Sequence, residues 1–360
     1  MPIKTVIIGS GKYLPELIVK NEDFLSNEFL NEKGEKFPKA NEDIVKKLQE
    51  ITEIEERRYL PSHLNTSDMG FFAAQEAIAN AGIDKESLDY IIVAHNFGDL
   101  QDHNRKVDMV PTLASRIKHL LQIANPDCVA YDLPFGCPGW VQGMIQADYF
   151  IKSGDARRAL VIGTENLSRI ADPHDIDAMI YSDGAGAVVV EGIETDKAIG
   201  ILTHKTRTDT LNHAHLLNMG VSYSSDYQDD TLFIKMNGRK LYEYAISTVP
   251  ILVKETIEKA GLDISDINKV LIHQANAKMD AAILERTFKL FGHKEWPREV
   301  MPMIISKIGN NSVATVPVLY DIIIRGEMEG QEIKPGDTLV FASVGAGMNV
   351  NAFIYKVPMN

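Results

Sequence analysis

The chain is poor in cysteine, in long hydrophobic runs and in basic charge, and each shortage removes a class of function. Two cysteines, Cys128 and Cys137, occur in 360 residues. That is too few for a disulfide framework, and neither stands in a CxxC or Cys/His pattern that would hold zinc. The N-terminal MPIKTVIIGSGKYLPE has only a short apolar run before Gly9, well below the roughly 20 residues of a membrane span. A cytoplasmic protein without a membrane segment is the expectation. A formal charge of −13 leaves no basic surplus to neutralise phosphates, so nucleic acid is not expected as a partner. The same N-terminal stretch stops at GxG, lacks a third glycine and meets Pro15 where a dinucleotide-binding helix should run. His213-x-His215 and the run around His174 lack the i, i+4 spacing of a catalytic zinc motif. No metal and no redox cofactor are expected.

What is present is average globular composition, 45% hydrophobic and 24% charged, which fits a soluble enzyme of one or two domains. A repeat sets the architecture. AIANAGIDKESLDYIIVAHN, from Ala77, matches TIEKAGLDISDINKVLIHQAN, from Thr256, at a shift of 256 − 77 = 179 residues. Each copy reads as helix, glycine stop at Gly82 or Gly261, short turn and buried strand, Tyr90–Val93 or Val270–Ile272. The same shift aligns Leu160–Ile162 with Leu339–Phe341. Uninterrupted apolar strands suit a sheet covered by helices on both faces. The chain is therefore read as two homologous α/β halves, 1–195 and 196–360, joined near GIETDKAIG. Asn27–Asn41 and His204–Asp230, both polar, read as insertions or long loops.

Cys137 lies in a small-residue turn, Gly136-Cys137-Pro138-Gly139, that leads into a helical pattern from Trp140 to about Ile151, with Pro138 suited to the first helical position. A thiol at a helix N-terminus faces unpaired N–H groups and the positive end of the macrodipole, which favours the thiolate and a nucleophilic role. The alternative is a small buried hydrophobe, the reading kept for Cys128. His273 ends the strand Val270–Ile272, at the sheet edge where α/β sites collect, or else is a structural histidine. Asn310 sits in a Gly-Asn-Asn-Ser turn before a helical pattern from about Val313 to Arg325, and alone would be a turn or N-cap residue. Gly345-Ala346-Gly347, after the strand Thr338–Phe341, makes a tight turn able to present N–H groups to an oxyanion.

The order GCPGW, GRK, IHQAN, GNNSVATVP and IKPGDTLVFASVGAG resembles the beta-ketoacyl-ACP synthase III family of thiolase-fold condensing enzymes. IIGSGKYLPE, KSGDARRALVIGTENLSR and SDGAGAVVVE extend the likeness over nearly the whole chain. The resemblance implies the α/β thiolase fold, its halves giving a five-layered αβαβα arrangement, and a homodimer. It implies Cys137 as acyl-accepting nucleophile, His273 and Asn310 as donors during decarboxylation, and the N–H groups of Cys137 and Ala346 as oxyanion hole. The implied reaction loads an acyl group from an acyl-CoA or acyl carrier protein onto Cys137 and condenses it with malonyl-ACP, starting fatty-acid chain elongation.

The family's pattern is not kept everywhere. Lys47 and Ile51 stand where its CoA-gripping tryptophan and arginine would fall, and Val110 where a phenylalanine limits the acyl pocket across the dimer. Among basic positions after the catalytic histidine Lys278 is kept, whereas Glu243 and Glu285 replace two others. Arg286, Lys289 and Lys294 are the substitutes for carrier docking, the alternative being a solvated helix face. These departures keep a second reading open, a specialised synthase joining longer acyl chains in lipid or pigment synthesis. A Cys-His-Asn hydrolase uses the same residue types in the same order, but lacks the 179-residue duplication.

Overall fold

The computed structural model describes residues 1–102, 104–225, 227 and 231–359. Within it, the apolar strands sort their side chains by the period of two that a pleated strand imposes. Ile91 and Val93 point to an outer core, and Ile92 and Ala94 to a central one. In the other half Val340 and Ala342 face a second outer core, while Leu339 and Phe341 face the same central one. The central strands of both sheets are thus buried on both faces, which is why they read as continuous apolar runs.

The first sheet has five strands in the order Ile3–Tyr13, Asp183–Glu194, Arg158–Asn166, Tyr90–His95, Val129–Pro134. The second has four: Gly200–Thr208, Asn349–Lys356, Thr338–Gly345, Lys269–Ile272. In both, the outermost long strand pairs antiparallel and the repeat strands pair parallel, Tyr90–His95 with Arg158–Asn166 and Lys269–Ile272 with Thr338–Gly345. At the edge where the second sheet would match Val129–Pro134 stands a short 3-10 turn, Arg298–Val300, between Pro297 and Pro302. Proline has no N–H to give to a ladder.

Helices Gly139–Ser153 and Thr315–Ile324 fill the layer between the sheets. Thr315–Ile323 is buried throughout, as a helix enclosed on all sides requires. Thr66–Ala81 and Leu113–Leu120 cover the outside of the first sheet, Gly238–Lys259 and Ala277–Leu290 that of the second. The five layers expected of the thiolase fold are all there. Gly82 and Gly261 end their helices in the left-handed region, at φ 64° and 73°, as the glycine stops predicted.

Two local expectations change. Pro138 precedes the helix rather than opening it. The stretch from His204 is not one loop: His204 to Thr208 complete the strand Gly200–Thr208, and Leu217–Gly220 pairs with Phe233–Met236. Asp226 and Gln228 to Asp230 lie outside the described residues. Asn27–Asn41 is anchored by two buried apolar side chains, Phe29 and Leu30, with Phe29 packed near Val45 and Met179.

The halves interlock through backbone. A Cβ on Gly163 would stand 2.4 Å from the carbonyl oxygen of Val313, and one on Gly186 2.8 Å from the nitrogen of Val318. Buried Asp321 accepts from Ser10 Oγ at 2.7 Å and pairs with Lys12 and Arg325. Because the obstacle at Gly163 is backbone, Gly163→Ala should destabilise the protein by about 1–3 kcal/mol, the cost of overpacking. Urea unfolding followed by circular dichroism measures this, and an unchanged midpoint would refute it.

Candidate active site

Cys137 follows Gly136, whose φ of 68° turns the chain sharply between the strand Val129–Pro134 and the helix Gly139–Ser153. Two turns meet there. A Cβ on Gly136 would lie 2.9 Å from the nitrogen of Ala346, and one on Gly345 2.7 Å from the nitrogen of Cys137. Only glycine lets the backbones approach this closely, which brings the Ala346 turn against the cysteine.

His273 leaves the end of its strand with its N–H donating to Ala342 O at 3.0 Å. The next residue, buried Gln274, ties this strand end to the 302–305 segment, giving Nε2 to Pro302 O and accepting from the N–H groups of Ile304 and Ile305. Asn310 belongs to the second half but is held by the first: its N–H donates to Ile180 O at 3.0 Å and its carbonyl accepts from Ser182 N at 2.8 Å. Its Oδ1 accepts from Ser312 N at 2.9 Å, and Ser312 has a left-handed φ of 52°.

Cys137, His273, Asn310 and Ala346 line one cavity of about 600 Å³. Most of its wall is apolar, including Leu48, Ile51, Phe97, Met236 and Met279, and Asp177 adds a carboxyl. Asn96, Glu165 and Ser312 were not anticipated. Ser312 Oγ donates to Cys137 Sγ at 3.3 Å and accepts from Asn96 Nδ2 at 3.0 Å, and Asn96 Nδ2 also donates to Glu165 Oε2. A carboxylate at the end of the apolar strand Arg158–Asn166, beside His-Asn at the end of its neighbour, was the available signal.

Burial dominates the electrostatics. It pushes the Cys137 thiol up to about 11, with the Glu165 carboxylate adding and the Ser312 hydroxyl opposing. The thiolate expected from the helix end is therefore not the resting form. Burial also holds His273 down at about 4, so the imidazole is neutral, and its Nδ1 has no hydrogen-bond partner among the described residues. Glu165 is raised to about 7 by burial, which His95, Asn96 and a hydrogen bond from Ser312 oppose only in part.

The remaining sequence-predicted positions lie at or beyond the rim. Lys278 is exposed next to Met279, and Lys47 is exposed beside Leu48. Arg286 is exposed two turns further along and donates to Ile246 O. Lys289 pairs with Glu285, while Lys294 is exposed after the helix. Val110 is 86% exposed and does not line this cavity.

A folded pKa above the unfolded one makes ionisation of Glu165 a cost to folding. Its contribution is most favourable below the ordinary carboxylate value of 4.5 and is lost as pH rises through about 7. At about 1.4 kcal/mol per unit, Glu165→Gln should gain on the order of 2–3 kcal/mol relative to the unmodified protein between pH 4.5 and 8. Urea titrations at several pH values test this, and a difference independent of pH would refute it.

Comparison with known proteins gives the chain its family. Residues 131–210 match the family model for 3-oxoacyl-[acyl-carrier-protein (ACP)] synthase III, and residues 257–357 the model for its C-terminal part. The chain is 31% identical to beta-ketoacyl-[acyl-carrier-protein] synthase III 1 of Halalkalibacterium halodurans, covering 95% of each chain. It is 32% identical to beta-ketoacyl-[acyl-carrier-protein] synthase III of Erythrobacter litoralis, over 98% of this chain and 99% of the other. The crystal structure of 3-oxoacyl-[acyl-carrier-protein] synthase III from Aquifex aeolicus superposes with a TM-score of 0.78 at 28% identity, covering 98% of this chain and 99% of that one.

Proposed function

The chain belongs to the 3-oxoacyl-[acyl-carrier-protein] synthase III family, and on that premise we propose that it catalyses the decarboxylating Claisen condensation that starts fatty-acid chain elongation. One observation carries the assignment of roles. Cys137, His273 and Asn310, from three separate loops and both halves, converge on a single largely apolar cavity.

The Cys137 sulfur attacks the carbonyl carbon of an acyl thioester delivered by CoA or a carrier protein. The negative oxygen that forms is held by the N–H groups of Cys137 and Ala346, the leaving thiolate takes up the proton that Cys137 gives and departs as the thiol, and the acyl group remains on Cys137. Malonyl-ACP then enters. Loss of carbon dioxide leaves an enolate whose oxygen receives hydrogen bonds from the neutral His273 imidazole and the Asn310 amide. The enolate carbon attacks the acyl-cysteine, forming the new carbon–carbon bond, breaking the thioester and releasing 3-oxoacyl-ACP. The volume and apolar wall of this cavity support donors longer than the shortest acyl groups. Lys278 and Arg286, exposed on the helix beside the cavity, are the carrier-protein contacts in this reading.

The working form is read as a cytoplasmic homodimer. No helix among the described residues is long and apolar enough to cross a membrane. The exposed apolar side chains Val107, Met109 and Val110 are the surface a second copy would cover.

Intact-protein mass spectrometry tests the scheme. The protein should gain the mass of the acyl group from a matching acyl-CoA or acyl carrier protein and lose it on a malonyl-ACP chase. Cys137→Ser should never load. His273→Ala should load but turn over at least about a hundredfold more slowly, the scale of a lost oxyanion donor. Loading of the Cys137→Ser variant at the wild-type level would overturn the assignment.

A further inference from the structure

We propose that Glu165 is a positioning residue, which through Asn96 aims the Ser312 hydroxyl at the sulfur of Cys137. The inference rests on the reading of Cys137 as acyl acceptor and names three further residues that prepare it.

The chain of contacts is continuous. Glu165 is fully buried at the end of the strand Arg158–Asn166. It accepts from both the side-chain amide and the backbone N–H of Asn96. Asn96 Nδ2 has two hydrogens, and its two acceptors are Glu165 Oε2 and Ser312 Oγ. The Ser312 oxygen, already accepting from Asn96, has a single hydrogen to give; Cys137 Sγ stands 3.3 Å away and the Glu165 carboxyl is the other acceptor within its reach.

Direction is set by the chemistry of the first link. Once ionised, above about pH 7, the Glu165 carboxylate can only accept, so there it selects the NH₂ end of the Asn96 amide. Were that amide reversed, its oxygen would face Ser312, and the serine hydrogen would turn toward asparagine and away from sulfur. The Ser312 backbone contributes as well, since its left-handed φ of 52° and the bond from its N–H to Asn310 Oδ1 hold the hydroxyl in place. A hydroxyl donated to sulfur stabilises the thiolate more than the thiol. In a cavity where burial holds the thiol neutral, that donor is one of the few groups that eases its ionisation.

A plain electrostatic role and a positioning role predict opposite signs. The Glu165 charge alone disfavours the thiolate, so neutralising it without disturbing Asn96 would make Cys137 more reactive. If Glu165 acts by orientation, neutralising it lets the amide reverse and makes Cys137 less reactive.

The test is the rate of Cys137 alkylation by iodoacetamide between pH 6 and 10, located by peptide mass spectrometry so that Cys128 is scored apart. Ser312→Ala should slow the reaction at neutral pH about tenfold, the worth of one charge-assisted hydrogen bond. Glu165→Gln should slow it about three- to tenfold, and the double variant no further than Ser312→Ala alone, because residues acting in series are not additive. Asn96→Leu, with no N–H to give and no charge, should slow it similarly and serves if Glu165→Gln does not fold. Faster or unchanged alkylation in Glu165→Gln, or effects that add, would overturn the proposal. Alkylation needs no acyl donor. Failure of the unmodified protein to load any acyl group would therefore count against the acyl-acceptor reading, while normal loading with a flat alkylation series would count against Glu165.

Discussion

The site depends on backbone approaching backbone between the two halves. Asn310 is a residue of the second half whose own N–H and carbonyl are spent on Ile180 and Ser182 of the first. Gly163 lets the carbonyl of Val313 press against the strand Arg158–Asn166, and Gly345 and Gly136 let the Cys137 and Ala346 turns touch. Side-chain packing alone tolerates small shifts, but backbone hydrogen bonds between loops fix position within a few tenths of an ångström. Groups that must meet a reacting carbonyl at about 3 Å need that precision. The glycine-rich segments that carry the family likeness, GCPGW, SDGAGA and SVGAG, are thus largely the places where the halves come closest.

Close approach also decides which parts could be read from the sequence. The layers were legible because double-sided burial writes apolar runs, and because the 179-residue shift showed the same helix-glycine-strand unit twice. Cys137, His273 and Asn310 were legible because each stands just past a recognisable element end. The chain of Glu165, Asn96 and Ser312 was not, because it joins residues up to 216 positions apart that share no motif and meet only once the sheets are stacked. The resting state of the thiol was hidden for a related reason. A helix end is visible in sequence, but the burial that opposes it belongs to the tertiary fold.

Burial has a consequence for chemistry. With Cys137 pushed up to about 11 and His273 held at about 4, both groups are neutral at any ordinary pH. Neutral donors suit an enolate that forms and disappears within one turnover, since a permanent imidazolium would be costly to keep in an apolar cavity and would bind the malonyl carboxylate that must leave. The thiol proton has to move only when a thioester carbonyl arrives to take up the charge. In the proposed scheme the apolar wall serves the reaction twice, by binding an acyl chain and by strengthening each hydrogen bond to a developing oxyanion.

The duplication also shows why the halves could not stay alike. At the shift of 179 residues, His273 corresponds to position 273 − 179 = 94, which is alanine. A Cβ on Gly139, at the start of the helix behind the nucleophile, would stand only 2.9 Å from the Ala94 Cβ. An imidazole at position 94 would crowd that helix and Cys137 with it, so a histidine does not fit there. In the second half the corresponding position is open to the cavity, because the neighbouring helix Thr315–Ile324 begins beyond the Asn310–Ser312 loop rather than at a cysteine turn. In the proposed scheme, cysteine from one half and histidine with asparagine from the other is the division of labour that two copies of one packing unit permit. The hydrogen-bond path from Glu165 and Asn96 crosses to Ser312 and returns to Cys137, so neither half assembles a working site alone.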